Sequence, residues 1–254
     1  MNDTAIIDTT MENIHQHGVC GYKNPKKEGF PEKLEWLKNR FSEGLKIKTL
    51  FSEQDGTQGM IEYIPGSHCW RPVDAGDTMF IHCIFVGFKK IYKNKGYATQ
   101  LLAECEKDAQ QQKLQGVAVV TRKGSFMAGS ELFLKNGFAI VDAIEPDFEL
   151  LVKKFSPGAP DPKFKRNPNR YTKGLTIIRA DQCPYTVKNV KEICATAESQ
   201  YKIKANVVDL KSHQEAQNSP SPFGTFCIIY NGTIVADSPI SNGRFVNIME
   251  KLRA

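Results

Sequence analysis

The clearest pattern of apolar and polar positions lies between residues 78 and 111. Residues 78–86 form an almost continuous apolar run, which is typical of a strand that is covered on both faces. From Ala98 to Ala109, apolar residues recur at spacings of three and four, which predicts a helix with one buried stripe. Gly96 lies directly before this helix, where a residue without a side chain permits a tight turn. The segment therefore predicts a strand, a tight loop and a helix in immediate succession.

The rest of the first 155 residues shows short apolar runs that are separated by polar turns. These runs predict strands at residues 5–8, 47–51, 59–64, 116–121, 138–144 and 148–155. One helix is predicted at residues 30–41, with Pro31 in its first turn, and another before Asn136-Gly137, a typical left-handed helix stop. We therefore expect an α/β fold with a mixed sheet and flanking helices.

A proline-rich connector follows this region. Residues 156–169 contain four prolines, which favours an extended segment and a domain boundary. The next predicted elements are a strand, a helix, a strand, a hairpin and a helix, at residues 174–179, 183–199, 205–210, 226–236 and 244–252. Asn231-Gly232 predicts a type I′ turn in the hairpin. We predict a domain at residues 1–155, a basic linker at 156–173 and a smaller domain at 174–254 with the element order of a thioredoxin-like fold.

Composition indicates a globular protein. The chain has 254 residues, of which 41% are hydrophobic, enough for two modest cores. No apolar run approaches the roughly 20 residues that span a bilayer, and the first residues have no basic flank before an apolar stretch. Seven scattered cysteines, without a Cys-x-x-Cys pair, predict reduced thiols and neither a disulfide framework nor a metal site. We expect a cytoplasmic protein that does not interact with membranes.

The net charge of +6 is concentrated in the connector. Residues 156–173 contain five basic residues and one acidic residue. A nucleic-acid-binding protein should instead show a basic face with interleaved aromatic residues on a folded element. The charge therefore indicates a solvated linker, and nucleic acid is not an expected partner.

The loop around Gly96 carries the strongest chemical signal. The free backbone N–H groups of a helix N-terminus attract anions, and Lys93 and Lys95 stand beside this one. The motif Lys93-x-x-Gly96-x-Ala98 resembles the (Gln/Arg)-x-x-Gly-x-(Gly/Ala) signature of the GNAT superfamily of acetyl-CoA-dependent N-acetyltransferases. Two further segments, 116–120 and 132–138, follow where that family has its later motifs. The sequences of three segments resemble those of the YoaP-type members of this superfamily, which carry a second domain. These segments are residues 60–66, 69–73 and 80–83.

The resemblance implies an acetyl-CoA site and an amine acceptor on a small molecule or a peptide. It implies that the backbone of Phe85 and Val86 pairs with the pantetheine arm. It also implies that the pyrophosphate is held by the backbone amides of Lys95, Gly96, Tyr97, Ala98 and Thr99. Lys93 and Lys95 could add charge, although plain solvated lysines are an equal alternative. Lysine at position 93 departs from the usual Gln or Arg.

The groups that would transfer protons are less clear in the sequence. The family's usual general acid is a Tyr at the position of Phe133, which has no proton to give. Glu62 and His82 are candidate bases because each interrupts an apolar strand. The alternatives are a hydrogen-bonded core histidine and a glutamate on a solvated strand face. Arg71 beside Trp70 predicts either an acceptor contact or a packing pair.

The second domain contains a candidate redox residue. Cys183-Pro-Tyr-Thr186 resembles the glutaredoxin active site, with Thr186 in place of the second cysteine. The thioredoxin pattern places Gly224 where such proteins usually have a cis-proline. These two departures favour a binding or structural module over a monothiol redox role for Cys183.

Three functions remain open from the sequence. The first is an N-acetyltransferase whose second domain recognises the acceptor or shapes the cleft. The second is a monothiol redox or CoA-binding protein in which the acetyltransferase-like half is a ligand-binding module. The third is a scaffold without turnover. The sequence leaves the acceptor and the oligomeric state undetermined.

Overall fold

A computed structural model describes residues 4–22, 24–124 and 126–253. The chain forms two compact units. The first unit comprises Met1–Pro25, Leu37–Cys69 and Val73–Phe164, and the second comprises Lys26–Trp36, Trp70–Pro72 and Lys165–Ala254. Two short segments from the first half of the sequence are therefore part of the second unit.

The elements up to residue 164 alternate between strands and a few helices. In chain order they are β1 (Thr4–Thr9), α1 (Ile14–His17), α2 (Phe30–Ser42), β2 (Lys46–Ser52), β3 (Gly56–Pro65), β4 (Val73–Asp74), β5 (Thr78–Val86), α3 (Tyr97–Gln111), β6 (Gly116–Thr121), α4 (Ser130–Lys135), β7 (Ala139–Ile144), β8 (Phe148–Lys154) and β9 (Lys163–Phe164). Short 3₁₀ turns lie at Gly66–His68 and Lys90–Tyr92. The predicted strands and helices of this region are confirmed, with ends that shift by up to three residues.

Seven of these strands form one mixed sheet in the order β1-β2-β3-β5-β6-β8-β7. Strands β5 and β6 are parallel, and the other neighbours are antiparallel. One face of the sheet packs on α3 and α4 through a core that includes Ile81, Leu101, Val119 and Phe133. The prediction of a mixed α/β fold is confirmed.

The sheet opens between its two parallel strands. The last residue pair that joins β5 to β6 is Ile81 with Val119. Beyond this point β5 continues to Val86 while it pairs only with β3 among its described neighbours. Since β6 continues to Thr121 alongside β8, the backbones of β5 and β6 separate here.

The second unit is built around a four-stranded sheet. Its elements after residue 164 are β10 (Leu175–Arg179), α5 (Tyr185–Tyr201), β11 (Asn206–Asp209), α6 (His213–Gln217), β12 (Phe226–Tyr230), β13 (Thr233–Ala236) and α7 (Asn242–Arg253). The strand order is β11-β10-β12-β13, with β10 and β11 parallel. Asn231 and Gly232 both have positive φ, as a type I′ turn requires. A second sheet domain is confirmed, and its assignment as thioredoxin-like stays a prediction.

Part of the predicted extended linker is ordered against its neighbours. Lys163–Phe164 forms strand β9, which pairs with β4. Further along, Asn167 donates hydrogen bonds to the carbonyls of Gln217 and Ser219 in the second unit. Two-residue strands have no periodicity that a sequence pattern can reveal. None of the helices formed by the described residues has both the length and the apolar character that crossing a bilayer requires.

Candidate active site

Gly96 forms the turn that precedes α3. Its φ of 79° lies in the left-handed region, and a Cβ atom added there would meet no other atom within 4 Å. Gly96 is the N-cap residue of the helix that follows and has no side chain with which to cap it. The first backbone N–H groups of α3 therefore point toward an open, exposed turn, as an anion site requires. The residues present fit the diphosphate of a CoA-type ligand.

Lys93 and Lys95 are exposed beside this turn. The aliphatic stem of Lys93 crosses the end of β5, because a Cβ added at Gly87 would lie 2.4 Å from its Cγ. Lys89, by contrast, is paired with Asp55. The stem of Lys93 is thus held near the turn.

Tyr97 contributes to the same region from the first turn of α3. Its hydroxyl accepts a hydrogen bond from Thr4 Oγ1 at 3.2 Å, and its ring lies 6.2 Å from that of Tyr92. The hydroxyl of Tyr92 donates to Asp55 Oδ2 at 2.9 Å and is buried. Both tyrosines therefore support the loop structurally.

Phe85 and Val86 lie on the part of β5 that extends past β6. They pair with Met60 and Gly59 of β3 and are half-buried. On the opposite side of the opening, β6 ends at Thr121, which is fully buried. The Thr121 hydroxyl has no hydrogen-bond partner among the described residues. A buried hydroxyl without a hydrogen-bond partner lowers the stability of the folded protein by about 1–3 kcal/mol, unless a ligand supplies the partner.

Glu62 and His82 form a buried pair on neighbouring strands. His82 Nδ1 lies 3.5 Å from Glu62 Oε1, and the two side chains are at most 1% exposed. His82 follows Ile81, the last β5 residue that pairs with β6, so the pair lies where the sheet opens. The sequence indicated Glu62 and His82 as two independent candidate bases. In the structure the two side chains lie next to each other.

Phe133 is fully buried in the core beneath α3, with its ring 5.4 Å from that of Phe138. Its side chain packs as an apolar core residue. The structure therefore agrees with the expectation that this position supplies no proton.

Cys183 lies within the second unit, just before Pro184, the N-cap residue of α5, and is half-buried. Thr186 donates its hydroxyl proton to the carbonyl oxygen of Cys183 at 2.8 Å. The neighbouring Pro184 is pressed against Gly29, where an added Cβ would lie 2.0 Å from the Pro184 oxygen. The backbone next to Cys183 is thus closely covered by a segment from the first half of the chain.

Arg71 is buried in the second unit beside the same region. Its Nη1 donates to Gln182 Oε1 at 3.0 Å and to Thr225 Oγ1 at 3.1 Å. Its guanidinium lies 4.8 Å from the ring centroid of Phe223. Gly224 allows this approach, since an added Cβ would lie 2.5 Å from the oxygen of Trp70. Arg71 is therefore a packing and hydrogen-bonding residue of the second unit, with its guanidinium over the ring of Phe223.

Replacement of Arg71 by methionine should destabilise the protein by about 2 kcal/mol or more, because buried acceptors lose a charged donor. Urea unfolding, followed by circular dichroism, measures this loss. Lys191→Met is the matched control, since Lys191 pairs with Glu28 at 3.3 Å on the surface and should contribute little. Equal stability of the Arg71 variant and the control would contradict the anchoring role.

Two features of this region could not be predicted from the sequence pattern. Thr121 is a single polar residue at the end of an apolar strand, and this was its only signal. The partners of Arg71 lie 111 and 154 residues away along the chain, which no local pattern reveals.

Comparisons with known proteins identify the family of the chain. The sequence profile of the acetyltransferase (GNAT) family matches residues 12–138, which is half of the chain. The chain therefore belongs to the acetyltransferase (GNAT) family and is an acyltransferase. A second profile, described as YoaP-like, matches residues 205–247 in the second unit.

One relative covers nearly the whole chain. It is the uncharacterized N-acetyltransferase YoaP of Bacillus subtilis (strain 168), 29% identical over 253 residues, which are 97% of this chain and 98% of the relative. Among solved structures, the PaiA N-acetyltransferase of Thermoplasma acidophilum in complex with coenzyme A is 17% identical, with a TM-score of 0.42 over 60% of this chain and 99% of that chain. The ribosomal-protein-alanine N-acetyltransferase of Brucella melitensis is also 17% identical, with a TM-score of 0.43 over 59% of this chain and 99% of that chain.

Proposed function

We propose that the protein transfers the acetyl group of acetyl-CoA to an amine on a small molecule or a peptide. The observation that carries this proposal is the position of the Glu62–His82 pair. The pair lies where β5 and β6 separate, and the open turn at Gly96 follows the same strand. A donor site and a candidate base therefore adjoin one opening in the sheet.

The donor would be held mainly by backbone groups. The amides of residues 95–99 and the charge of Lys93 suit the diphosphate, because a helix N-terminus and a cation both favour anions. The backbone of Phe85 and Val86 suits the amide groups of a pantetheine arm, as one strand suits another. Thr121, the last residue of β6, carries a buried hydroxyl that would form one more hydrogen bond if the ligand reaches it.

Glu62 and His82 would remove the amine proton. In this scheme the Glu62 carboxylate orients His82 through Nδ1, and His82 accepts the proton from the attacking nitrogen. A C–N bond forms to the acetyl carbonyl carbon, the C–S bond breaks, and CoA leaves as a thiolate. Since Phe133 provides no proton, the modest basicity of a thiolate and nearby N–H dipoles support its departure. The separation of 3.5 Å between Nδ1 and Oε1 is long for a hydrogen bond, as catalytic contacts often are before substrate binds.

For the second unit, we propose a structural or binding role rather than thiol redox chemistry. The support comes from the surroundings of Cys183. Arg71 is bonded to the adjacent Gln182, and Gly29 packs on Pro184, so residues on both sides of Cys183 in the sequence are engaged. If the alternative were correct, the Cys183 thiolate of the wild-type protein would attack glutathione disulfide and release one glutathione thiolate, and Cys183→Ser could not form the resulting mixed disulfide.

An acceptor screen tests the function directly. The full chain is incubated with acetyl-CoA and a panel of primary amines and amine-bearing peptides, and the released CoA thiol is measured. We expect CoA release that depends on at least one amine and an acetylated product in equal amount by mass spectrometry. Tight acetyl-CoA binding without any amine-dependent release would contradict the proposal and favour a CoA-binding module.

A further inference from the structure

The strand that carries His82 has an irregularity where it meets Glu62. Glu62 pairs with Cys83, but the next residue, Tyr63, pairs with Ile81, so His82 is the extra residue of a β-bulge. Ile81 and Ile84 both belong to the core beneath α3. His82 and Cys83, which lie between them, therefore both face the side of Glu62. In a regular strand, alternation would turn one of the two toward α3.

Tyr63 lies on β3 next to this bulge, where it pairs with Ile81. Its side chain forms a hydrogen bond with α3. Its hydroxyl donates a 2.5 Å hydrogen bond to Oδ2 of Asp108, and both residues are buried. Lys46, the cross-strand neighbour of Tyr63 on β2, lies 3.1 Å from the same oxygen. Lys48 Nζ lies 3.5 Å from it. The carboxylate of Asp108 thus interacts with three side chains of the sheet, one phenol and two ammonium groups.

The protonation states favour this arrangement. Burial and the bond to Asp108 raise the pKa of Tyr63 far above its usual value, so the phenol keeps its proton. Burial alone would raise the pKa of Asp108, but the hydrogen bonds from Tyr63 and Lys46 and the charge of Lys48 lower it. At neutral pH, Tyr63 therefore donates to an ionised carboxylate, which is a strong type of hydrogen bond.

We propose that Asp108 and Tyr63 are positioning residues for acetyl transfer. Their hydrogen bond holds the bulge in register, and the register keeps His82 facing Glu62. Asp108 lies on the helix whose first turn would hold the diphosphate of the donor, so one bond connects the donor site with the candidate base. This inference rests on the proposed catalytic role of Glu62 and His82.

The test uses Tyr63→Phe and Asp108→Asn in the full chain, since each removes the bond with little change of shape. With the amine found in the acceptor screen, we expect kcat to fall about tenfold or more, because a small displacement of a catalytic group is costly. The KM for acetyl-CoA and the CoA affinity from calorimetry should stay within about twofold of wild type. The double variant should lose no more than the worse single variant, as coupled residues do.

A second measurement needs no acceptor. Hydrogen exchange at the backbone amides of His82 and Cys83 should become about tenfold faster in both variants, because a loosened bulge opens more often. Glu106→Gln is the matched control. Glu106 also connects α3 to the sheet, but through Lys153 of β8, at 2.7 Å, rather than through the Tyr63–Asp108 bond. It should leave kcat and both amides unchanged.

The outcomes separate the inference from the function on which it rests. Wild-type kcat and unchanged exchange in Tyr63→Phe and Asp108→Asn would overturn the inference, as would an equal loss of kcat in Glu106→Gln. If Glu62→Gln and His82→Gln keep wild-type kcat, the proposed catalytic pair is wrong, and the exchange data then decide whether the bond holds the bulge.

Discussion

Replacement of Gly96 by glutamate should weaken acetyl-CoA binding by about 100-fold or more. The new side chain would project into the open turn at the N-terminus of α3, where a Cβ meets no protein atom within 4 Å. Its carboxylate would then lie where the donor's diphosphate is expected, and short-range repulsion between two such anions at a protein surface amounts to about 3 kcal/mol or more, which corresponds to about 100-fold in affinity. Calorimetric titration of the full chain with CoA measures the change.

Two matched variants separate charge from backbone strain. Gly96→Ala adds only the strain of a left-handed φ, and Gly96→Gln adds the size of glutamate without its charge. We expect the order of affinity to be wild type, alanine, glutamine and then glutamate. A folded glutamate variant that binds CoA as tightly as the glutamine variant would show that the diphosphate does not bind at this turn.

Replacement of Glu62 by glutamine should lower kcat by about 100-fold or more while the KM for acetyl-CoA changes little. Glutamine keeps the shape of the side chain but cannot hold His82 in the orientation that accepts a proton, and general-base catalysis contributes at least this much. Steady-state kinetics with the amine from the acceptor screen measure both constants. His82→Gln should show a similar loss, and the double variant should not show the product of the two losses, since the residues would act as a unit.

Glu53→Gln is the control for this experiment. Glu53 is an exposed carboxylate in the turn between β2 and β3, and its loss should leave kcat at the wild-type value. A kcat for Glu62→Gln that equals that of the control would show that the buried glutamate is a structural residue.

The fold could be predicted where a local pattern is sufficient. Residues 78–86 gave strand β5 with its observed ends because an unbroken apolar run of this length has few alternatives. Asn231-Gly232 gave the hairpin turn because only residues that tolerate positive φ fit it. Gly96 was recognisable for the same reason.

The arrangement of the candidate site was beyond a local pattern. The bulge at His82 lies inside a run in which nearly every residue is apolar, so no alternation marks the change of face. The meeting of Glu62 with His82 depends on this bulge. The anchoring of Arg71 depends on residues far along the chain, and such contacts follow from the tertiary fold. Sequence therefore located the chemical groups and missed how they are joined.

The segments at 26–36 and 70–72 affect how the protein can be divided. Trp36, Trp70 and Arg71 are buried in the second unit although they precede residue 75 in the sequence. A fragment that stops near residue 164 would expose two indole rings and a guanidinium to water, and a fragment that starts near residue 165 would lack part of its own interior. Neither piece should be soluble and folded alone. Gene fusions, deletions or exchanges of the C-terminal part should therefore succeed only when these two short segments are transferred with it.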